Sequence, residues 1–171
     1  LTAMTVAEAF RDAGCRVLLV VDSLTRYAHA LREVAIAAGE LPVARGYPAS
    51  LLQALPAYLE RAGPGERGSI TALVSVLVDG DDRMDPVADI ARGSLDGHLV
   101  LDRRIAEAGR YPAVDVLASL SRLADAVWTD EQRQLVQRLR AMIAAYEDTR
   151  DLRAIDRSAA ESDPELAQAV A

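Results

Sequence analysis

The sequence predicts an α/β fold in which part of a domain with a parallel sheet covered by helices leads into the start of an all-α domain. Three observations predict it. Val17-Leu18-Leu19-Val20-Val21 and Ser69 to Val78 are nearly continuous apolar, β-prone runs, the pattern of strands buried on both faces of a parallel sheet. Segments of helical periodicity alternate with these runs, which is the order of β/α units. No strand signal follows about residue 117, and apolar residues then recur only at helical spacing.

The elements follow in order. Thr2 to Asp12 reads as a helix, with Val6, Ala9, Phe10 and Ala13 on one side and Gly14 ending it. The strand at 16–21 is followed by a helix from Thr25 to Ala38, striped by Ala28, Leu31, Ala35 and Ala38 and stopped by Gly39. Pro42 to Pro48 reads as a loop, Leu51 to Ala62 as a helix and Gly63 to Gly68 as a turn. The second long run, Ser69 to Val78, ends on the acidic loop Asp79-Gly80-Asp81-Asp82. Pro86 to Leu95 suits a helix with proline in its first turn. Gly97 to Leu101 reads as a short strand, Arg103 to Ala108 as a helical turn closed by Gly109, and Tyr111 to Val116 as a short extended segment. Character changes near Trp128. Thr129 can cap a helix over 130–147 carrying Leu135, Leu139, Met142, Ile143 and Tyr146, with Asp130 and Glu131 at its positive end. Further helices are expected at 151–157 and 163–170. The domain boundary is thus placed between residues 1–128 and 129–171.

Composition narrows the class. Half of the 171 residues are apolar and about a quarter charged, as in a soluble globular protein. A net charge of -7 argues against a dedicated nucleic-acid surface. The single cysteine, Cys15, excludes an internal disulfide, fits a reducing cytoplasm, and is expected to pack in or near the core. No apolar run approaches a membrane span. His29 and His98 belong to no metal-ligand pattern and read as structural. All 19 basic residues are arginine; there is no lysine.

The first apolar run ends on Asp22. A carboxylate at the carboxyl end of a parallel strand sits where open α/β sheets bind ligands. In P-loop nucleotide hydrolases that place belongs to the Walker B aspartate, which serves Mg²⁺ at the phosphates. The other reading is a cap for the following helix. A Walker A loop requires a lysine, so if Asp22 is a Walker B residue, that loop is expected upstream of residue 1.

Several strings, in register along essentially the whole chain, resemble the ATPases of flagellar and type III protein export, relatives of the rotary ATP synthase catalytic subunits. They are Leu18-Leu19-Val20-Val21-Asp22-Ser23-Leu24-Thr25-Arg26-Tyr27-Ala28, Arg45-Gly46-Tyr47-Pro48-Ala49-Ser50, Gly68-Ser69-Ile70-Thr71-Ala72 and Asp79-Gly80-Asp81-Asp82. Leu95-Asp96-Gly97-His98, Ala106-Glu107-Ala108-Gly109-Arg110-Tyr111-Pro112-Ala113-Val114-Asp115 and Ser119-Leu120-Ser121-Arg122 complete the set.

The resemblance implies a RecA-like P-loop domain, ATP and Mg²⁺ as nucleotide and cation, and specific roles. Asp22 matches the Walker B aspartate. Arg26, one turn further on, matches a position near the catalytic carboxylate and phosphates; its other reading is a helix-surface arginine paired with Glu33 or another acid. Tyr111 matches an adenine-stacking tyrosine, against a core tyrosine beside Pro112. Arg122 matches an arginine finger acting on a neighbouring subunit, against an interface salt bridge. The Gly46-Tyr47-Pro48 loop and the loop from Asp79 to Asp85 match segments facing the channel of a homohexamer, or else are simply solvated. Asp102 stands where the family often has serine.

The implied partners are a central stalk, stator proteins and chaperone–substrate complexes, with the protein cytoplasmic and peripheral at an inner-membrane export gate. The Walker A loop, the catalytic glutamate and a β-barrel domain are expected upstream, so the chain is expected to be inactive alone. Two rivals remain: a non-catalytic regulatory subunit of a rotary-type ATPase, and a short protein that only binds partners.

Overall fold

A computed structural model describes residues 1–78 and 85–148. These form two compact units, Leu1–Leu95 and a second beginning at Asp96.

In the first unit, helix α1 (Thr2–Asp12) feeds strand β1 (Arg16–Val21), and helix α2 (Leu24–Ala37) follows. The loop expected at 42–48 is a small antiparallel hairpin, β2 (Pro42–Ala44) and β3 (Tyr47–Pro48). Arg45 and Gly46 both have positive φ at its tip, the geometry of a tight two-residue hairpin turn. Helix α3 (Ala49–Leu59) starts at once from Pro48; β4 (Gly63–Pro64), β5 (Ser69–Val74) and α4 (Pro86–Ser94) complete the unit. The sheet order is β1-β5-β4, with β1 and β5 parallel from Arg16↔Ser69 to Val21↔Val74 and β4 antiparallel to β5. The side chain of Asp85 accepts from the Ala88 N–H at 2.9 Å and caps α4.

The core joins Met4 and Ala7 of α1, Leu19, Leu24, Ala28, Tyr47, Leu51, Leu55, Tyr58, Ile70 and Val87. It corrects three expectations. The apolar runs are not buried on both faces: Leu19 and Ile70 are covered, whereas Leu18, Val20 and Leu73 are more than half exposed. The described helices cover one face of this sheet, and alternate residues of β1 and β5 face away from them. On α1 it is Met4 and Ala7 that are buried, while Val6 and Phe10 face outward. Cys15 is exposed, because it lies in the turn between α1 and β1, where its N–H reaches the Phe10 carbonyl at 3.0 Å.

The second unit contains β6 (Gly97–Leu101), α5 (Arg103–Glu107), β7 (Val114–Ser121), α6 (Ala124–Val127) and α7 (Asp130–Asp148). Here the expected parallel alternation fails: β6 and β7 are antiparallel, and β7 runs to Ser121 rather than ending near 117. A register shift between His98 and Val100 is filled by side chains. Ser119 Oγ accepts from the Val100 N–H at 3.0 Å, and Asp115 Oδ1 accepts from the Leu117 and Ala118 N–H groups at 2.9 Å. Thr129 and Gln132 exchange reciprocal bonds of 3.0 and 3.2 Å, the capping box that starts α7. Arg140 of α7 donates to the Val116 and Leu117 carbonyls at 2.8 and 2.9 Å, tying the helix to β7. The helices expected at 151–157 and 163–170 lie outside the described residues, as does the acidic loop at 79–84.

Two of the family-like strings contain a glycine that packing demands. A methyl group at Gly68 would overlap the carbonyl oxygens of Arg11 and Cys15, and one at Gly97 that of Leu120.

Candidate nucleotide site

β1 delivers Asp22 to the carboxyl end of the sheet, exposed, at the start of α2. Two neighbouring residues compete to cap that helix, and the geometry assigns the task to Ser23. It is 4% exposed, and its Oγ accepts from the Arg26 N–H at 3.3 Å. Asp22 is therefore not the cap. Its carboxylate takes a different partner, accepting from Ser75 Oγ at 2.8 Å. The Asp22–Ser23 peptide is cis.

The loop leaving β5 is held against this junction by backbone and side-chain bonds. Leu24 N–H donates to the Ser75 carbonyl at 2.9 Å and Ser75 N–H to the Val21 carbonyl at 3.0 Å. Thr25, itself buried, accepts from the Leu77 N–H at 2.9 Å and donates back to the Leu77 carbonyl at 3.3 Å. Arg26 projects from the first turn of α2 and is exposed; among the described residues it forms no ion pair with Glu33. Asp22 and Arg26 are thus one helical turn apart at one end of one sheet.

A hard divalent cation fits this donor set only in company. No group of three His, Cys, Asp or Glu side chains that could hold a metal occurs among the described residues. Mg²⁺ needs no such group: it binds through one or two carboxylates together with substrate phosphates and waters. With one oxygen occupied by Ser75, the Asp22 carboxylate retains a second for that purpose.

Tyr111 and Arg122 belong to the second unit. Tyr111 lies between α5 and β7, before a cis peptide to Pro112. It is 74% exposed, so it is not a core tyrosine. Arg122 follows β7; its side chain is exposed and its N–H donates to the Asp96 carbonyl at 2.7 Å, extending the β6–β7 ladder. Asp102, the departure from the family pattern, caps α5. It accepts from the Arg104 N–H and guanidinium, each at 2.7 Å, and these bonds hold its carboxyl below the ordinary range.

The hairpin carrying Gly46 is anchored from within. Tyr47 is 6% exposed, with the Arg32 guanidinium 5.5 Å from its ring centroid, while Arg45 and Gly46 at the tip are exposed. His29 stacks on the same ring at 6.3 Å between centroids. His98 is half-buried, with its ring nitrogen 3.2 Å from the Ala118 carbonyl. Ser75 and the capping Ser23 were not among the sequence candidates. A serine after a strand carries no signal of its own; only the strand register exposes it.

Comparison with known proteins places this geometry. Residues 1–121 match the model of the ATP synthase alpha/beta family, nucleotide-binding domain. The flagellum-specific ATP synthase of Agrobacterium fabrum is 59% identical over 99% of this chain and 36% of its own length. The assembled ATPase EscN of the enteropathogenic E. coli type III secretion system superposes with a TM-score of 0.93 at 44% identity, covering 99% of this chain and 41% of its own. EscN in complex with its central stalk EscO gives a TM-score of 0.79 at 45% identity over 88% of this chain and 36% of its own. The chain therefore spans little more than a third of the length of the curated relative. It belongs to the ATP synthase alpha/beta family.

Proposed function

We propose that the whole protein hydrolyses ATP with Mg²⁺, as a homohexamer, to energise flagellar or type III protein export through chaperone release and substrate entry. The observation that carries this reading is Asp22. It ends a parallel strand, is relieved of helix capping by Ser23, and stands in a chain 59% identical to a flagellum-specific ATP synthase.

Each candidate residue then has a physical task. Mg²⁺, when bound with the nucleotide, neutralises charge at the β- and γ-phosphates. Asp22 contributes its open carboxylate oxygen to that site. Arg26 brings fixed positive charge one turn away. Tyr111 offers an exposed flat face for the adenine. Arg122 is the arginine finger for nucleotide held by a neighbouring subunit, its planar fork suited to charge on the transferring phosphoryl group. The Walker A loop and catalytic glutamate come from the part of the protein outside this chain, so residues 1–171 alone do not turn over ATP.

Residues 1–128 are read as the second half of the RecA-like domain and 129–171 as the start of a helical domain. A central stalk partner is supported by the EscN–EscO relative; stator proteins and chaperone–substrate complexes complete the proposed assembly. The protein is placed in the cytoplasm, peripheral at the export gate. No helix among the described residues is long and apolar enough to cross a membrane.

The test uses the protein expressed from its complete gene. Arg122→Ala is expected to abolish oligomer-stimulated ATPase activity, and normal stimulation would remove the finger assignment. A degraded Walker A sequence upstream would instead support the regulatory-subunit reading, which the names of the relatives do not favour.

A further inference from the structure

Asp22 is fixed in place by one side chain that belongs to neither its own strand nor its own helix. The parallel register of β1 and β5 pairs Val20 with Leu73 and Val21 with Val74. One step further, it sets Asp22 opposite Ser75, on the same side of the strands as Leu18, Val20 and Leu73. The backbone enforces this step: Ser75 N–H donates to the Val21 carbonyl, and the Ser75 carbonyl accepts from Leu24 N–H. Ser75 is thus clamped on both sides of Asp22. Its Oγ lies 2.8 Å from Asp22 Oδ1 and 3.4 Å from the Val21 carbonyl. A hydroxyl has one proton, and the shorter contact to the charged acceptor takes it. Thr25, bonded twice to Leu77, keeps the segment after Ser75 from swinging away.

We infer that Ser75 is a positioning residue for the nucleotide–metal site: its hydroxyl occupies Asp22 Oδ1 and aims Oδ2 at the cation. The inference rests on the proposed role of Asp22. A carboxylate that must bind Mg²⁺ through one oxygen benefits from a donor on the other, because the bond fixes the rotation of the carboxylate plane. Such outer partners are typically worth about 10–100-fold in metal affinity. Threonine, with a hydroxyl at the same branch point, can do the same; alanine cannot.

The experiment uses the full-length protein and reads binding, not turnover. A fluorescent ADP is titrated in EDTA and then with increasing Mg²⁺, for the wild type, Ser75→Ala, Ser75→Thr and Asp22→Asn. Ser75→Ala is expected to raise the Mg²⁺ concentration for half-maximal tightening by about 10-fold or more, with ADP binding in EDTA unchanged. Ser75→Thr is expected to restore the wild-type value, and Asp22→Asn to lose Mg²⁺-dependent tightening. If Asp22→Asn loses it while Ser75→Ala does not move it, Ser75 has no such role and Asp22 keeps its own. If Asp22→Asn leaves the Mg²⁺ dependence intact, the reading of Asp22 falls and this inference with it. Weakening by Ser75→Ala to the same extent in EDTA would show a general structural role and overturn the proposal.

Discussion

The two units solve the problem of burial differently. Every fully buried residue among those described lies in the first unit, where α1, α2, α3 and α4 close over one face of the β1–β5 sheet. None of the described residues of the second unit reaches that level, and Leu99, Leu101, Val127 and Leu135 are each more than half exposed. Its order comes from polar devices instead: the Asp115 and Ser119 bonds across the bulge, the Thr129–Gln132 box, and Arg140 on the β7 carbonyls. Side chains anchored to a core are set by the chain itself. Side chains standing on an exposed surface lie within reach of a ligand or a second molecule. Asp22 is of the first kind; Tyr111 and Arg122 are of the second.

The largest effect that tests this contrast is on Arg122. In the full-length protein, Arg122→Ala is expected to lower kcat by about 10³–10⁵, the range for an arginine finger, while leaving the melting temperature unchanged. A drop in melting temperature of several degrees would break the contrast, because it would make Arg122 a stabilising residue of its own unit.

Stability should divide the other way. Leu55 is fully buried, so Leu55→Ala is expected to cost about 2–5 kcal/mol. Leu135, 58% exposed on α7, should change stability by no more than about 0.5 kcal/mol when truncated. Urea unfolding of the 171-residue chain followed by helical circular dichroism measures both. Equal costs would mean that the apolar face of α7 is covered in solution.

These contrasts also mark how far the sequence could be read. The helices at 2–12 and 86–94 and the strands at 16–21 and 97–101 follow from local pattern and their bounding glycines and prolines. So does the place of Asp22 at the end of β1, since an apolar run ending on a carboxylate is a local event. What local pattern cannot supply is cover. Periodicity found the stripe with Val6 and Phe10, but tertiary packing chose Met4 and Ala7 for the core. The same gap misplaced Cys15 and left Leu18 and Val20 uncovered. Strand direction was equally hidden, because β7 reads as an extended segment whatever its partner; only pairing with β6 makes it antiparallel. Asp22 and Ser23 were both eligible caps by residue type, and backbone geometry alone separates them. Ser75 became visible only when β5 was laid against β1.

Nucleotide affinity supplies a smaller effect. Tyr111→Ala is expected to weaken ATP binding by about 1–3 kcal/mol, the usual worth of one base–aromatic stack, and Tyr111→Phe to retain it. Because the ring is exposed, neither change should alter unfolding. Unchanged affinity in Tyr111→Ala, measured by nucleotide titration of the full-length protein, would remove the adenine contact.

The smallest effect concerns an ionic clamp of the first unit that joins α1 to the turn after α3. Glu8 on α1 accepts from Arg61 Nε at 2.8 Å and from Nη2 at 2.5 Å, and Arg61 Nη2 also donates to Thr5 Oγ1 at 3.1 Å. The Arg61 hydrogen bonds hold the Glu8 carboxyl below its ordinary value of 4.5. A carboxyl whose folded value is depressed stabilises the fold above its unfolded value and loses that contribution as pH falls through the folded one. The clamp is therefore intact at pH 7 and weakens progressively below about pH 4.5. Glu8→Gln should be slightly less stable than the wild type at neutral pH, and the difference should close as both are acidified. Urea midpoints taken at intervals from pH 7 to about pH 3 follow the convergence. Because the pair is partly open to water, its worth is small and should shrink further in high salt. A gap between the two proteins that persists undiminished at the acid end would show that Glu8 acts through packing along α1 and not through its charge.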